Sequence, residues 1–135
     1  YGTAGDYLKF VRMILNRGRA DGTQVLKPET VDQMCANNMG ALRVQVLKTA
    51  MPGLSHDAEF FPGMAKSWGL AFQRNEAKAP TGLPAGSLMW AGLANTFYWI
   101  DPSTGIGGVY LSQVLPFVDV KALSPFLELQ RAAYQ

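Results

Sequence analysis

With 135 residues, 48% of them apolar, and a formal net charge of +2, the sequence describes a globular chain long enough to bury one core. No stretch approaches the roughly 18 consecutive apolar residues of a membrane span, and the charged residues stand singly, without the blocks that mark nucleic-acid or anionic-lipid binding. The single cysteine, Cys35, excludes an internal disulfide and a thiol-metal cluster.

The chain opens at Tyr1 already running into a helix start, with no initiator Met, and reads as cut from a longer protein that would carry any targeting signal. Thr3 and Asp6 have the spacing of a capping box, and Tyr7, Phe10, Val11, Ile14 and Leu15 then recur at helical intervals as far as Gly18. Asp21-Gly22 marks a turn, Val25 and Leu26 an apolar step, and Pro28 the start of a second amphipathic helix through Val31, Met34 and Cys35 towards Asn37-Asn38. Cys35 falls on the apolar side of that helix and reads as a core residue. Between Met39 and Lys66, Arg43 to Lys48 alternates like a short strand. The rest, with Pro52-Gly53 and Pro62-Gly63, reads as a long irregular excursion of the kind kept for substrate binding.

Trp68, Leu70 and Phe72 then alternate as one half-buried strand. A Pro/Gly-rich loop over 80–86 leads to three further runs, Ser87 to Leu93, Thr96 to Ile100 and Ile106 to Val114. The turn Asp101-Pro102-Ser103-Thr104-Gly105 joins the last two, and links this short favour antiparallel pairing. From Asp119 to Gln135 a terminal helix is expected, with Val120, Leu123, Leu127 and Ala132 or Leu129 as its apolar stripe, Pro125 in the first turn of its main part and Ser124 as a possible cap there. The fold class is therefore α+β: two N-terminal helices over 1–40, a loop over 41–66, and over 67–135 an antiparallel sheet of about four strands with a C-terminal helix packed on it.

The polar inventory by itself assembles no catalytic centre. His56 is the only histidine, and its neighbour Asp57 would point away from it in a loop. The sequence has no Gly-x-Ser-x-Gly elbow, and Gly105-Ile106-Gly107-Gly108 lies between strands where a dinucleotide fingerprint would precede a helix. The acids never gather with His or Cys at metal-ligand spacing, so no metal and no cofactor is expected. Trp90-Ala91-Gly92 differs, because it sets an aromatic and a glycine two residues apart on one strand face, and a glycine there leaves room for a ligand to approach the backbone. On these residues alone, ordinary strand packing remains the first reading of that segment.

The order of these parts resembles class C β-lactamase-like serine hydrolases, of the β-lactamase and penicillin-binding-protein superfamily. Thr3 to Phe10, Gly22 with Val25-Leu26, and Pro28-Glu29-Thr30-Val31 with Met34 are similar to the two helices before the family's last strands. Trp68-Gly69-Leu70, Trp90-Ala91-Gly92 with Asn95, Ile100-Asp101-Pro102 and Tyr110-Leu111-Ser112-Gln113 are similar to the strands that follow. The resemblance implies a partial β-lactamase/transpeptidase-like fold, with Trp90-Ala91-Gly92 standing at the family's third conserved box. That box is usually Lys-Thr-Gly or His-x-Gly, and esterase members of the family VIII type often carry Trp-x-Gly. An indole cannot pair with a substrate carboxylate as a cation does, so the resemblance implies a small neutral ester as substrate. By the same match the Leu93 backbone N–H is an oxyanion-hole donor, and Trp90, Ala91, Gly92 and Asn95 line the substrate.

None of Ser55, Ser67, Ser87, Ser103, Ser112 or Ser124 has a Lys three residues on, so the family's Ser-x-x-Lys nucleophile is not in this sequence, and the chain alone is expected to be inert. Tyr110-Leu111-Ser112 imitates the family's Tyr box only by coincidence, since it follows the third box. The leading reading is part of a serine carboxylesterase. A β-lactamase or D-Ala-D-Ala peptidase relative and a non-catalytic binding or assembly module are the alternatives. The expected partners are the ester and either a second copy of the chain or the missing N-terminal part.

Overall fold

The computed structural model describes residues 2–135. Thr3 begins helix α1 (Ala4–Leu15) with reciprocal bonds: its Oγ1 accepts from the Asp6 N–H at 3.1 Å, and the Asp6 carboxylate accepts from the Thr3 N–H at 3.4 Å. The helix turns Val11, Met13 and Ile14 inward and ends at Leu15, and the turn after it passes through Gly18, where a Cβ would lie 2.2 Å from the Leu26 carbonyl oxygen. Strands β1 (Arg19–Ala20) and β2 (Thr23–Gln24) pair around Asp21 (φ 47°) and Gly22 (φ 80°). Two central residues at positive φ make the tight turn whose twist suits a hairpin. Helix α2 (Pro28–Cys35) opens on Pro28, where a missing N–H costs nothing.

From 36 to 65 the backbone is irregular, and the alternation of Arg43 to Lys48 does not become a strand. Its amides go to different partners: the Val44 N–H bonds the Lys66 carbonyl at 2.9 Å, whereas Leu47 exchanges two bonds with Ala58, each of 2.9 Å. A strand needs one neighbour for its whole length, and this segment has two in succession.

Five antiparallel strands follow, in the spatial order β3 (Lys66–Trp68), β4 (Gln73–Asn75), β5 (Leu88–Gly92), β6 (Thr96–Asp101) and β7 (Ile106–Tyr110). The fifth arises because the expected strand through Trp68, Leu70 and Phe72 is a hairpin. The Gly69 N–H bonds the Phe72 carbonyl at 2.8 Å, Leu70 stands 66% exposed at the tip, and Phe72 is buried. A Cβ on Gly69 would come within 2.0 Å of the Met34 carbonyl oxygen, so this glycine lets the tip lie against the end of α2.

Leu88, Tyr98 and Ile100 face α1 and α2, in one core cluster with Val11, Ile14 and Val31. Met89, Phe97 and Trp99 face the other way, onto helix α3 (Val120–Ala133), in a second cluster with Phe126 and Leu83. The sheet is therefore covered on both faces. On β7, Gly107 and Gly108 allow this closeness: a Cβ at 107 would meet Val11 Cγ1 at 2.6 Å, and one at 108 would meet the Trp99 ring at 2.1 Å.

Helix α3 begins a turn earlier than Ser124, at Asp119, whose carboxylate accepts from the Lys121 N–H at 2.8 Å. Pro125 consequently lies inside the helix, on its exposed side. The buried stripe is Ala122, Phe126 and Gln130, flanked by half-buried Leu123 and Leu127, while Val120 and Leu129 face solvent. Two contacts set that phase. Phe126 stacks on Phe97 with ring centroids 4.7 Å apart, and the Gln130 Oε1 accepts from Thr81 at 3.0 Å.

Asp101 closes the β6–β7 turn while fully buried. Its carboxylate accepts from the Ser103 N–H (2.9 Å), the Ser103 hydroxyl (2.6 Å), the Thr104 hydroxyl (2.5 Å) and the Tyr134 hydroxyl (3.1 Å). Burial opposes the charge, but these hydrogen bonds outweigh it and hold the carboxyl below its ordinary range. A depressed folded-state pKa means the stabilisation is present above the unfolded value of about 3.9 and is lost as pH falls through the folded one. Asp101→Asn should therefore be less stable than wild type by roughly 2 to 3 kcal/mol in urea denaturation at pH 7, with the gap closing below about pH 4. A gap independent of pH would show that the charge is not what the turn requires. At Cys35, burial and then the Asp32 charge push the thiol up to about 11, so alkylation by iodoacetamide at pH 7 should be far slower than that of free cysteine. Equal rates would mean that the α2 end opens.

Candidate functional site

Strand β5 outruns its neighbour. Strand β4 pairs with Leu88 and Met89 only, whereas β6 pairs along the whole of β5, from Leu88 with Ile100 to Gly92 with Thr96. Among the described residues, the outer edge of β5 from Trp90 onward therefore has no strand beside it. Trp90 is half-buried and stands edge-on to Trp68 at 4.6 Å and to Phe60 at 5.8 Å, in contact with both core clusters. Ala91 and Gly92 border a recess of about 220 Å³ on the α1 side, with Tyr98 and Val109. A larger cavity of about 620 Å³ adjoins it between the α1 N-terminus and the end of β7, sharing Tyr7, Thr96 and Leu111.

The room beside Gly92 is already filled: a Cβ there would lie 2.5 Å from Thr96 Oγ1. The glycine accommodates its cross-strand partner, a reason that spacing alone does not reveal.

Leu93, Ala94 and Asn95 connect β5 to β6. The Asn95 N–H bonds the Gly92 carbonyl at 3.0 Å and Asn95 itself sits at φ 57°, the three-residue hairpin made of one tight turn and one left-handed residue. Asn tolerates that conformation better than most side chains. Its amide is fully buried and occupied: Nδ2 donates to the Val114 carbonyl at 2.9 Å and to the Pro116 carbonyl at 2.7 Å, and Oδ1 accepts from the Val118 N–H at 2.8 Å. Ser112 adds bonds from its hydroxyl to the Ala94 (3.0 Å) and Asn95 (2.8 Å) carbonyls. The segment 114–118 is held in turn by the Phe117 N–H on the Leu54 carbonyl (2.8 Å) and the His56 N–H on the Phe117 carbonyl (3.0 Å). Asn95 thus positions the turn through its neighbours, with both amide hydrogens turned inward.

What this clamp presents is Leu93. Its side chain is 53% exposed, and among the described residues its backbone N–H has no acceptor. Of the five residues that the sequence singled out, Trp90, Ala91, Gly92 and Leu93 lie in succession on one open edge. Asn95 lies behind it.

Other polar groups are taken up elsewhere. The Ser55 hydroxyl donates to the His56 carbonyl, and the Ser67 hydroxyl donates to Glu76, which also pairs with Arg74. Buried Lys66 caps the Phe61 and Met64 carbonyls at 3.1 and 2.8 Å, and its burial lowers its pKa. Tyr98 and Tyr7, with ring centroids 5.1 Å apart, are both held above the ordinary phenol range by burial, so neither is a phenolate base at neutral pH. The arrangement can donate a hydrogen bond to a developing negative charge, and among the described residues it contains no activated nucleophile.

A model of the Beta-lactamase family matches residues 1–132. The chain belongs to the beta-lactamase family. The Mycobacterium tuberculosis protein Rv1367c is 34% identical over 127 residues, covering 90% of this chain and 29% of its own length. The chain thus spans well under a third of the curated relatives it matches. Among solved structures, simvastatin synthase (LovD) from Aspergillus terreus superposes with a TM-score of 0.72 at 22% identity, over 96% of this chain and 32% of that one. A penicillin-binding protein homolog from Caulobacter crescentus gives 0.60 at 22% identity, over 93% and 29%. These likenesses establish a partial beta-lactamase fold of the α+β class.

The sequence reasoning missed the Asn95 clamp, Trp68 as the ring beside Trp90, and the residues flanking Leu93. Asn at the end of a three-residue strand connection was a usable signal for the first.

If Thr96 is what demands glycine at 92, Gly92→Ala should lower stability by about 1 to 3 kcal/mol, and Thr96→Ala in the same molecule should return most of it. Calorimetric Tm values of the two single variants and the double variant form the cycle. Strict additivity would mean that the two residues do not meet.

Proposed function

We propose that this chain forms one wall of an ester-hydrolysing site in a serine hydrolase that works through an acyl-enzyme, with the nucleophile contributed by sequence outside these 135 residues. The observation that carries the reading is the unbonded Leu93 N–H, held by a buried clamp at the end of an open strand edge, in a member of the beta-lactamase family. In such a reaction a serine Oγ adds to the ester carbonyl carbon, and the carbonyl oxygen gains negative charge. The Leu93 N–H donates to that oxygen. The tetrahedral adduct then expels the alcohol, which takes up the serine's proton, and water later releases the acid by the same addition and expulsion. A fixed backbone donor needs no reorganisation as the charge develops, which is why it favours the transition state over the bound ester.

Trp90 supports a neutral substrate. An indole wedged between Trp68 and Phe60 supplies an apolar wall and no cation, so nothing at that position recognises a substrate carboxylate.

The protein that carries this chain should hydrolyse 4-nitrophenyl butyrate and lose at least a hundredfold in kcat/KM when its Ser-x-x-Lys serine is replaced by Ala. Activity that survives this replacement would end the acyl-enzyme reading. Preference for a chromogenic cephalosporin over the ester would favour the β-lactam alternative.

The partner reading rests on the other side of the sheet. The outer edge of β3 is covered by the Val44 and Asn38 N–H groups, which bond the Lys66 and Trp68 carbonyls. Among the described residues, nothing pairs with the outer edge of β7, and the 620 Å³ cavity opens between the α1 N-terminus and the segment that follows that strand. An open edge next to apolar surface is an association site, so the chain by itself should sediment as a dimer at micromolar concentration. A monomer that binds no exposed-surface dye would show that β7 needs no partner.

A further inference from the structure

Leu93 has two sides. Its backbone ends the β5 edge, and its side chain enters a groove of about 310 Å³ formed with the 47–58 loop and Phe117. Apart from Lys48, the side chains that shape this groove are apolar or uncharged, chiefly Leu47, Met51, Leu54, Ala58 and Phe117. The ammonium of Lys48 is engaged by Asp57 at 2.6 Å on the surface, so no uncompensated charge faces the space. Met51 and Leu93 are 61% and 53% exposed, and Leu47 is exposed as well. Three large apolar side chains lining one groove, with none of the described residues covering them, mark a binding surface rather than scattered surface leucines.

The groove is also preformed. Leu47 and Ala58 exchange two backbone bonds of 2.9 Å, the Leu54 and Ser55 N–H groups bond the Met51 carbonyl at 2.9 and 3.1 Å, and the Phe117 N–H ties the far wall to Leu54 at 2.8 Å. A loop fixed by its own backbone does not have to be ordered when a ligand enters.

We propose that this groove takes the uncharged alkyl or aryl group attached to the ester carbonyl, and so sets which esters the site accepts. This deepens the ester reading above and rests on it for the placement of the carbonyl at Leu93. A carbonyl oxygen on the Leu93 N–H puts its substituents beside the Leu93 side chain, which is the rim of the groove. The same apolar group could be the acyl chain or the alkoxy chain of the ester, and the experiment separates the two.

In the protein that carries this chain, kcat/KM is measured for 4-nitrophenyl acetate against 4-nitrophenyl hexanoate, and for ethyl acetate against hexyl acetate. Burying one methylene is worth about fourfold, so the longer member of one pair should be favoured at least tenfold, and the pair that shows it assigns the chain. Met51→Glu, which places a charge at an exposed position of the rim, should bring that ratio close to one, and Met51→Leu should keep it. No preference in either pair, or a preference that Met51→Glu leaves intact, overturns the inference while the ester reading stands. A second readout does not need hydrolysis: in ¹⁵N NMR of this chain, ethyl hexanoate should move the amides of Leu47, Met51, Leu93 and Phe117, and ethyl acetate should not. If those amides respond although the longer protein hydrolyses no ester, the function reading falls and the groove remains an apolar binding site. If they respond only to the concentration of the chain itself, a second copy covers the groove and the proposal is wrong.

Discussion

Strand β6 has no face turned to solvent. From Phe97 to Asp101 every side chain is buried, alternately against the α1 and the α3 side, and most of the architecture answers that demand. Two helices must approach one strand from opposite faces, which requires β7 beside it to be thin. Gly107 admits Val11 from α1, and Gly108 admits the Trp99 ring. The same burial draws Asp101 inside at the end of the strand, where an unpaired carboxylate would be costly. Four donors, one of them from Tyr134 at the far end of the chain, answer it.

The other end of β6 fixes the candidate site. Because Phe97 and Tyr98 are locked into the two cores, the turn that feeds them has no freedom of register. Its remaining freedom is the direction of the Leu93 peptide. Asn95 removes that by carrying three hydrogen bonds into the segment 114–118. A buried amide leaves this state only by exposing several unpaired groups, each worth about 1 to 3 kcal/mol. The Leu93 peptide is therefore held by a polar side chain behind it whose hydrogen bonds are all satisfied.

Much of this was legible in the sequence, and what was not shares a physical reason. The capping box at Thr3, the Asp21-Gly22 turn, the strands that became β5, β6 and β7, and the terminal helix all follow from local spacing, which a sequence states directly. The hairpin at Gly69 did not, because its cause is a carbonyl of α2 brought close by the fold. Nor did the phase of α3, since Val120, Leu123 and Leu127 make as good an apolar stripe on paper as Ala122, Phe126 and Gln130. Only the ring of Phe97 and the hydroxyl of Thr81 decide between them. At the site, the sequence picked out Trp90 to Leu93 as a unit through a family resemblance, yet it offered ligand room as the reason for Gly92, where the structure shows Thr96. Asn95 was noticed as a residue, while its work on a segment some twenty positions later could not be read without the fold.

Around the open edge, the surface presents backbone polarity set among rings and apolar side chains. Two ion pairs join charged side chains of the surrounding segments: Lys48 with Asp57, and Arg74 with Glu76. Burial raises the Glu76 carboxyl, but bonds from Ser67 and Arg74 more than reverse this and keep it ionised and occupied. The rings of Trp90, Trp68 and Phe60 exclude water from one side of the edge and add no net charge. In such surroundings the peptide dipole at Leu93 is screened less than it would be in open solvent, so one N–H carries weight that it would not carry on a bare surface. With an apolar groove on one side of Leu93 and an indole on the other, the exposed backbone N–H between them is the polar feature of an otherwise apolar surface.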